Sequence, residues 1–199
     1  GLETLWVNTG TLCNIECVNC YIDSSPSNDA LAYMTRDELT PFLHEAKEMG
    51  ASEIGFTGGE PFMNPEMNAM AGDAMALGFS VLILTNAMRP MMRERILRGL
   101  LSLQAEFDDR LRLRVSLDHF DGAVHDRERG AKSFAVAIDG LTWLADHGFD
   151  ISVAGRVGFG ESEESMRLGY AALFDQLGLD IDAFSPHRLV LFPEMDESG

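Results

Sequence analysis

Short apolar runs alternate along the chain with longer segments in which apolar residues recur at helical spacing. The short runs predict six β-strands, at residues 5–8, 53–56, 79–85, 111–117, 151–157 and 189–192. The longer segments predict helices at 35–49, 64–78, 90–103, 133–147 and 162–177. One strand and one helix recur about every 33 residues, the size of a βα unit. The pattern therefore predicts an α/β fold, a partial (β/α)6 TIM-like barrel with parallel strands.

Local signals set the ends of two predicted helices. Thr35 and Glu38 have the spacing of a capping box, and Gly50 is a typical stop signal after the helix. Pro65 follows Asn64, so we expect Asn64 to cap the second helix and Pro65 to take its first position.

The fourth predicted strand has one apolar and one polar face. Residues two apart in a strand share a face. Arg112, Arg114 and Ser116 share the polar face, and Asp118 extends it beyond the strand. A closed barrel packs apolar side chains inside, so a polar inner face favours an open barrel that holds ligands. The alternative is a salt-bridged interior without a ligand.

Composition narrows the class of protein. The chain has 199 residues, of which 46% are hydrophobic and 24% charged, as in ordinary globular proteins. No apolar run approaches the roughly 20 residues of a membrane span, and nothing resembles a signal peptide, so we expect a cytoplasmic protein without a membrane partner. We expect one domain over residues 1–199, although the initial Gly1 is also compatible with a piece excised from a longer chain. The net charge of −17 disfavours nucleic acid as a partner.

Cys13, Cys17 and Cys20 are the three cysteines of the chain. An odd number in one short segment is a poor disulfide framework. Thiolates are soft ligands for zinc or iron–sulfur clusters, and a structural zinc needs four ligands. No fourth cysteine follows, and the next histidine, His44, lies in a helical pattern. Three thiolates favour a cluster with one open iron, while the spacing leaves zinc and a Cys17–Cys20 redox pair open.

Residues that could bind a ligand or take part in a reaction follow every predicted strand. Because the strands are parallel, these residues are brought to one edge of the sheet. In chain order these are the cysteine segment, Thr57–Pro61, Thr85–Asn86, Ser116–His119, Arg156 and Phe192. Gly58 and Gly59 allow a ligand to approach the backbone, and Glu60 is held extended by the proline that follows. A carboxylate and free carbonyls at a strand end suit an ammonium group. The alternative is an ordinary turn.

The sequence resembles the radical S-adenosylmethionine (SAM) superfamily. Cys13-Asn-Ile-Glu-Cys17-Val-Asn-Cys20 matches its Cys-x3-Cys-x2-Cys motif, with the aromatic Tyr21 next, and Thr57–Pro61 matches its Gly-Gly-Glu motif. The region 116–134 looks like the branch that includes peptide-modifying and cofactor-maturing enzymes.

The resemblance implies roles for individual residues. Cys13, Cys17 and Cys20 would bind three irons of a [4Fe–4S] cluster, and SAM would chelate the fourth iron. The SAM contacts it implies are Gly58, Gly59 and Glu60 at the amino group, Ser116 and Arg129 at the carboxylate or ribose, Asn86 near the ribose, and Tyr21 and Phe192 beside the adenine. Arg127 is the alternative to Arg129 for the contact with the SAM carboxylate or ribose. Asp118, His119 and Arg156 are candidate substrate contacts, with hydrogen-bonded barrel residues as the alternative reading.

The resemblance also implies an activity. SAM would be cleaved reductively to a 5′-deoxyadenosyl radical, which takes hydrogen from an unidentified peptide or small molecule. An external donor such as a flavodoxin or ferredoxin would supply the electron. The alternatives are an iron–sulfur electron carrier or scaffold and a structural zinc module. For a test variant, Gly59→Val, we expect the cluster to be retained and SAM binding to be weakened.

Overall fold

A single parallel sheet organises the molecule in the computed structural model, which describes residues 1–158 and 160–193. Its strands are β1 (Thr4–Asn8), β2 (Glu53–Thr57), β3 (Ser80–Thr85), β4 (Leu111–Ser116), β5 (Asp150–Val157) and β6 (Leu189–Pro193). The strands are hydrogen-bonded in chain order from β1 to β6, and every pairing is parallel. The curled sheet confirms the predicted partial (β/α)6 TIM-like barrel.

Helices connect the strands and cover the outer face of the sheet. They are α1 (Arg36–Glu48), α2 (Met67–Ala76), α3 (Glu94–Phe107), α4 (Gly122–Arg129), α5 (Ser133–Asp146) and α6 (Glu163–Leu177). Short 3-10 turns at Pro61–Met63 and Asp108–Arg110 complete the regular structure. Within the described residues no helix is both long and apolar enough to cross a membrane.

The core lies between the helices and the outer face of the strands. Side chains that share this face include Ile54, Phe56, Ile83, Leu113 and Val153, all fully buried. The β4 strand alternates between buried aliphatic and partly exposed polar residues, as predicted. In the described part of the chain, β1 and β6 each pair with one neighbouring strand, so the polar inner face borders an open lumen.

The start of α1 is the predicted capping box. Thr35 Oγ1 accepts from Glu38 N at 3.3 Å, and the Glu38 carboxylate accepts from Thr35 N at 2.9 Å. The predicted start of α2 is wrong, because the helix begins at Met67. The Asn64 side chain instead connects loops: Nδ2 donates to the carbonyl oxygens of Thr9 and Met34.

Two further helices differ from the prediction. Helix α3 begins at Glu94 rather than at Pro90, and α4 was not predicted. The α4 segment buries only His125, so it carries almost no hydrophobic periodicity. Its signal is the cap: Asp121 Oδ1 accepts from the backbone N–H groups of the first helical turn.

A large cavity of about 730 Å³ opens near the amino ends of β4 and β5. Acidic residues dominate its polar lining, namely Asp108, Asp109, Asp146, Asp150, Asp180 and Asp182. It contains none of the cysteines and lies at the end of the strands opposite the Gly-Gly-Glu motif. The candidate chemistry is therefore at the smaller cleft described next.

Candidate cofactor site

The three cysteines lie in the loop that follows β1 and face one cleft of about 110 Å³. Cys13 is buried, while Cys17 and Cys20 are half-buried. The loop is closed at its base, because Cys13 N donates to Ser25 O at 3.1 Å. Other residues that line the cleft are Tyr21, Ser24, Thr57, Gly58, Gly59, Thr85, Asn86, Ser116, Arg129 and Arg156. The carboxyl ends of neighbouring strands therefore meet the cysteines, as the sequence predicts.

The Gly-Gly segment pairs directly with the start of the cysteine loop. Gly59 N donates to Gly10 O at 2.8 Å, and Glu60 N donates to Leu12 O at 3.1 Å. A Cβ on Gly59 would lie 2.8 Å from Thr11 O and closer still to Leu12 O. Gly58 has a φ of +145°, a conformation that L side chains rarely adopt. Both glycines thus permit a backbone-to-backbone approach that positions the cysteines.

Glu60 is buried and bound by its own chain. Its Oε1 accepts from Thr85 Oγ1 at 2.8 Å and from Phe62 N at 3.1 Å, and its Oε2 accepts from Asn86 N at 2.8 Å. Burial raises the pKa of Glu60 to about 7, against the opposing effect of these hydrogen bonds. Glu60 joins the ends of β2 and β3, and its partners at the end of β3, Thr85 and Asn86, line the cleft. The carboxylate therefore positions Thr85 and Asn86.

Asn86 connects the end of β3 to the cysteine loop. Its Nδ2 donates to Asn14 Oδ1 at 2.9 Å and lies 3.9 Å from Cys13 Sγ. Its Oδ1 accepts from Met88 N at 3.0 Å. The side chain is thus fixed beside a candidate iron ligand.

An ion-pair network closes the other side of the cleft. Arg129 donates from Nε and Nη2 to the two oxygens of Asp118, at 2.8 and 2.9 Å. Arg156 Nε lies 3.5 Å from the same carboxylate. Burial alone would raise the pKa of Asp118, but the charge and hydrogen bonds of Arg129, with Arg156, hold it below its usual value. Two cations and one anion leave one positive charge beside the thiols.

The same side of the cleft holds the cysteine loop in place. Arg156 Nη2 donates to Asn19 O at 2.8 Å. Val18 N donates to Glu128 O at 2.9 Å, and Asn19 Nδ2 donates to a Glu128 carboxylate oxygen at 3.2 Å. Because these bonds fall between Cys17 and Cys20, helix α4 and strand β5 fix the spacing of those two thiols.

The remaining residues named from the sequence occupy different surroundings. Tyr21 is exposed, and its hydroxyl lies 2.9 Å from Thr57 Oγ1 at the cleft. Phe192 is paired in register with Arg156 and is half-exposed, outside the cleft lining. Arg127 is exposed and also outside the lining, whereas Arg129 is part of it.

His119 is buried away from the cleft lining. Its Nδ1 accepts from Asp121 N at 2.9 Å, and its Nε2 lies 3.3 Å from Glu161 Oε1. The ring stacks on Phe120 with centroids 4.2 Å apart. Asp118 is likewise buried and outside the lining, so Arg156 alone of the three candidate substrate contacts lines the cleft.

Ser24 and Thr85 belong to the site but were not among the candidate ligands. Ser24 is buried, its N donates to Cys20 Sγ at 3.3 Å, and its Oγ has no hydrogen-bond partner within the described residues. An orphaned buried hydroxyl at the cleft suits a polar group that the chain itself does not provide. The signal in the sequence was the run of serines after Tyr21, which reads equally well as a polar loop.

Burial controls the ionisation of the thiols. It raises the pKa of Cys13 to about 12, and it also raises the pKa of Cys17. A redox Cys-x-x-Cys pair has the opposite requirement, a lowered thiol pKa. Buried thiols of this kind become thiolates when a cation coordinates them. Arg129 adds a favourable charge at both cysteines. The donor set therefore fits a metal cluster better than redox thiols.

The thiols do not converge on one ion. Over residues 1–158 and 160–193, no group of three or more His, Cys, Asp or Glu side chains is placed to hold a single metal ion. The three thiols nevertheless face one cleft, with the Ser24 hydroxyl and Arg129 beside them.

The fold and the site together define the class of protein. It is a parallel half-barrel that carries three cysteines and a glycine-rich segment at the carboxyl edge of its sheet. The model of the radical SAM superfamily matches residues 7–173. The chain belongs to the radical SAM superfamily, whose enzymes use a [4Fe–4S] cluster and SAM. The family and cofactor predictions are confirmed.

Two curated relatives are similar over most of the chain. The antilisterial bacteriocin subtilosin biosynthesis protein AlbA of Bacillus subtilis (strain 168) is 31% identical over 143 residues, which are 71% of this chain and 30% of AlbA. Mycofactocin maturase MftC of Mycobacterium ulcerans (strain Agy99) is 31% identical over 139 residues, which are 69% of this chain and 35% of MftC. The chain thus spans about a third of the length of these relatives.

The fold is shared with a protein whose structure has been solved with S-adenosylmethionine and with a precursor peptide. Streptococcus suis SuiB bound to S-adenosylmethionine superposes with a TM-score of 0.77 at 15% identity, covering 100% of this chain and 42% of SuiB. SuiB bound to the precursor peptide SuiA gives a TM-score of 0.75 at 14% identity, covering 98% of this chain and 40% of SuiB. At such identities the likeness establishes the fold.

Proposed function

We propose that this chain is the catalytic core of an enzyme that cleaves SAM reductively and uses the resulting radical to modify a peptide or a small molecule. The observation that carries the proposal is the cleft onto which Cys13, Cys17 and Cys20 face together with the Gly-Gly strand end. When bound, the cluster supplies an electron that cleaves SAM to methionine and a 5′-deoxyadenosyl radical, which takes a hydrogen atom from the substrate.

The chain's own residues would bind and orient the cluster and SAM. The thiolates of Cys13, Cys17 and Cys20 would hold three irons of the cluster, so that a ligand from outside can bind the fourth. The backbone at Gly58 and Gly59 is open to the amino group of SAM. Glu60 acts at that group through Thr85 and Asn86, which it fixes by hydrogen bonds.

Further contacts surround the rest of SAM. Arg129 is the favoured partner of the SAM carboxylate, because it lines the cleft and Arg127 does not. Ser116 lies in the same wall. Tyr21 at the cleft would flank the adenine, and Asn86 would lie toward the ribose. Phe192 lies outside the cleft lining, so only its neighbouring backbone is a candidate for the other side of the adenine. The Ser24 hydroxyl would offer a further hydrogen bond.

The network of Asp118, Arg129 and Arg156 supplies positive charge next to the thiolates. Three thiolates make the site electron-rich, and nearby cations stabilise added negative charge. We expect a small electron carrier such as a flavodoxin or ferredoxin to reduce the site, and we place the protein in the cytoplasm. A peptide substrate is supported by the maturase relatives and by the SuiB–SuiA complex.

The test is anaerobic. The protein is reconstituted with iron and sulfide, reduced, mixed with SAM, and assayed for 5′-deoxyadenosine by mass spectrometry. We expect the product from the unaltered chain and not from Cys17→Ala. Four irons per chain without any 5′-deoxyadenosine, also in the presence of candidate peptides, would point to an electron carrier instead.

A further inference from the structure

Two guanidinium groups lie two residues apart on the lumen face of β4, and their surroundings differ. Arg112 Nε donates to Asp150 Oδ2 at 3.1 Å, and Arg188 contacts the same carboxylate. Arg114 Nε donates to the neutral Ser152 Oγ at 3.2 Å. No carboxylate among the described residues is within ion-pair distance of Arg114. Arg114 therefore has no direct ion pair, although the charge of Glu53 acts on it from a greater distance.

Arg114 lies directly beneath the cofactor cleft. The strand register aligns it with Leu84 on one side and Ser152 on the other. Ser116 follows on the same face, about 7 Å nearer the carboxyl end at the rise of a β-strand. Leu84 and Ser116 both line the cleft. A molecule that enters the lumen below SAM would thus meet the Arg114 side chain.

The energetic position of Arg114 is unfavourable in the free protein. The residue is partly buried, and burial together with the charge of Arg112 lowers its pKa, while the charge of Glu53 opposes this only in part. A partly buried cation without a counterion is costly unless something else compensates it. The chain has 32 acidic residues against 15 basic ones, and still none of the carboxylates in the described residues forms an ion pair with Arg114. A cation without a direct ion pair next to a ligand cleft is a candidate for a site completed by its ligand.

The neighbouring wall of the lumen is apolar and accessible. Trp6 on β1 is 48% exposed. Its indole lies over Gly55 on β2, where an added Cβ would be 2.5 Å from the ring. The register places both residues in the row of Arg112, one row below Arg114. The lumen thus combines the Arg114 guanidinium with the exposed aromatic ring of Trp6.

We propose that Arg114 anchors a carboxylate group of the substrate in the lumen, below the SAM site. This inference rests on the proposed function and adds the chemical class of the substrate: a molecule with a carboxylate and an apolar portion. A planar guanidinium donates two parallel hydrogen bonds to a carboxylate. The carboxylate can come from the end of a peptide, from an acidic side chain or from a free organic acid.

Matched probes test the carboxylate. One probe is N-acetylphenylalanine, and the other is its uncharged amide, N-acetylphenylalaninamide. Each is titrated into the anaerobically reconstituted protein with SAM, and binding is measured by calorimetry. We expect the acid to bind at least tenfold more tightly than the amide. Arg114→Gln should abolish this preference. Arg112→Gln is the matched control, from the same face of the same strand, and should keep it.

A third probe distinguishes the sources of the carboxylate. N-acetylaspartic acid α-amide carries its charge only on the side chain. Tighter binding of this probe indicates an acidic side chain, and tighter binding of N-acetylphenylalanine indicates a chain end or free acid. The proposal would be overturned if neither carboxylate probe bound more tightly than N-acetylphenylalaninamide to the unaltered protein, or if the preference for a carboxylate were preserved in Arg114→Gln.

A stability measurement provides an independent readout. Because Arg114→Met removes a partly buried charge that has no direct ion pair and keeps a long side chain, we expect the melting temperature of the ligand-free protein to rise. A lower melting temperature would assign Arg114 a structural role and contradict the proposal. The formation of 5′-deoxyadenosine by the unaltered protein is recorded in the same preparation, so that a failure of the proposed function is seen separately.

Discussion

The carbonyl oxygen of Leu12 occupies the space into which any side chain at Gly59 would project. Leu12 directly precedes Cys13, and its carbonyl accepts the N–H of Glu60 at 3.1 Å. The Gly-Gly segment and the cysteine loop are thus one structural unit. This relationship revises the expectation that a larger residue at Gly59 would affect SAM alone.

Gly59→Val should reduce cluster content as well as SAM binding. The added side chain collides with backbone rather than with a flexible side chain, so the cysteine loop must shift. We expect iron per chain after reconstitution to fall by more than half. The measurement is iron and sulfide analysis together with the cluster absorbance.

The matched control for this variant is Gly72→Ala in α2, where an added Cβ meets only a terminal carbon of Leu103, at 3.2 Å. It should keep full iron content. A Gly59→Val protein with normal iron and weak SAM binding would restore the original expectation.

The sequence was sufficient for the sheet and for the prediction that the cysteines and the Gly-Gly segment meet at one edge, but not for this coupling. Period-two alternation and the cysteine spacing are local patterns. The contact between Gly59 and the residues before Cys13 depends on how two loops meet across β1 and β2. Nothing in the Gly-Gly-Glu segment itself signals which backbone will lie against it.

Arg129→Lys should weaken SAM binding, and Arg127→Lys should not. Arg129 binds Asp118 through two parallel hydrogen bonds, a geometry that the single ammonium of lysine does not reproduce. Arg127 is exposed and outside the cleft lining. We expect at least a tenfold higher dissociation constant for SAM in Arg129→Lys, measured by equilibrium dialysis on reconstituted protein. Equal affinities in the two variants would count against Arg129 as a SAM ligand.

Asp126→Ala should destabilise the protein in a pH-dependent way. The Asp126 carboxylate accepts from Lys132 N at 2.7 Å, Phe134 N at 2.8 Å and Ser133 Oγ at 3.2 Å, at the start of α5. Burial alone would raise the pKa of Asp126, but these hydrogen bonds together lower it overall. Loss of such a cap costs about 1 kcal/mol at neutral pH.

The sign of the pH dependence follows from the lowered pKa of Asp126. Its contribution is complete above the pKa of an aspartate in the unfolded chain, near 3.9, and is lost as the pH falls through the lower folded pKa. Urea unfolding of both proteins should therefore show a difference that is constant from about pH 6 upward and shrinks below about pH 4. A difference that grows on acidification would contradict the assignment.

Helix α4 shows what local patterns leave out. One buried residue, His125, gives it no hydrophobic periodicity, yet it carries three groups that organise the site. Arg129 binds Asp118, the Glu128 carbonyl accepts from Val18 N, and Asp126 caps α5. These roles arise from tertiary contacts, which explains why the residues were found by resemblance or missed, while the strands were found by periodicity.

Arg156→Gln should make the cluster more labile. Arg156 Nη2 donates to Asn19 O at 2.8 Å, between Cys17 and Cys20, and its Nε lies near Asp118. The shorter, neutral glutamine loses both contacts, so the loop that carries two thiols opens more often. We expect iron release to a chelator under anaerobic conditions to accelerate several-fold, with an unchanged circular dichroism spectrum. Arg93→Gln, at the start of α3 and outside the cleft lining, is the control and should release iron at the original rate. Release from Arg156→Gln at that same rate would show that the remaining Val18–Glu128 bond is enough to hold the loop.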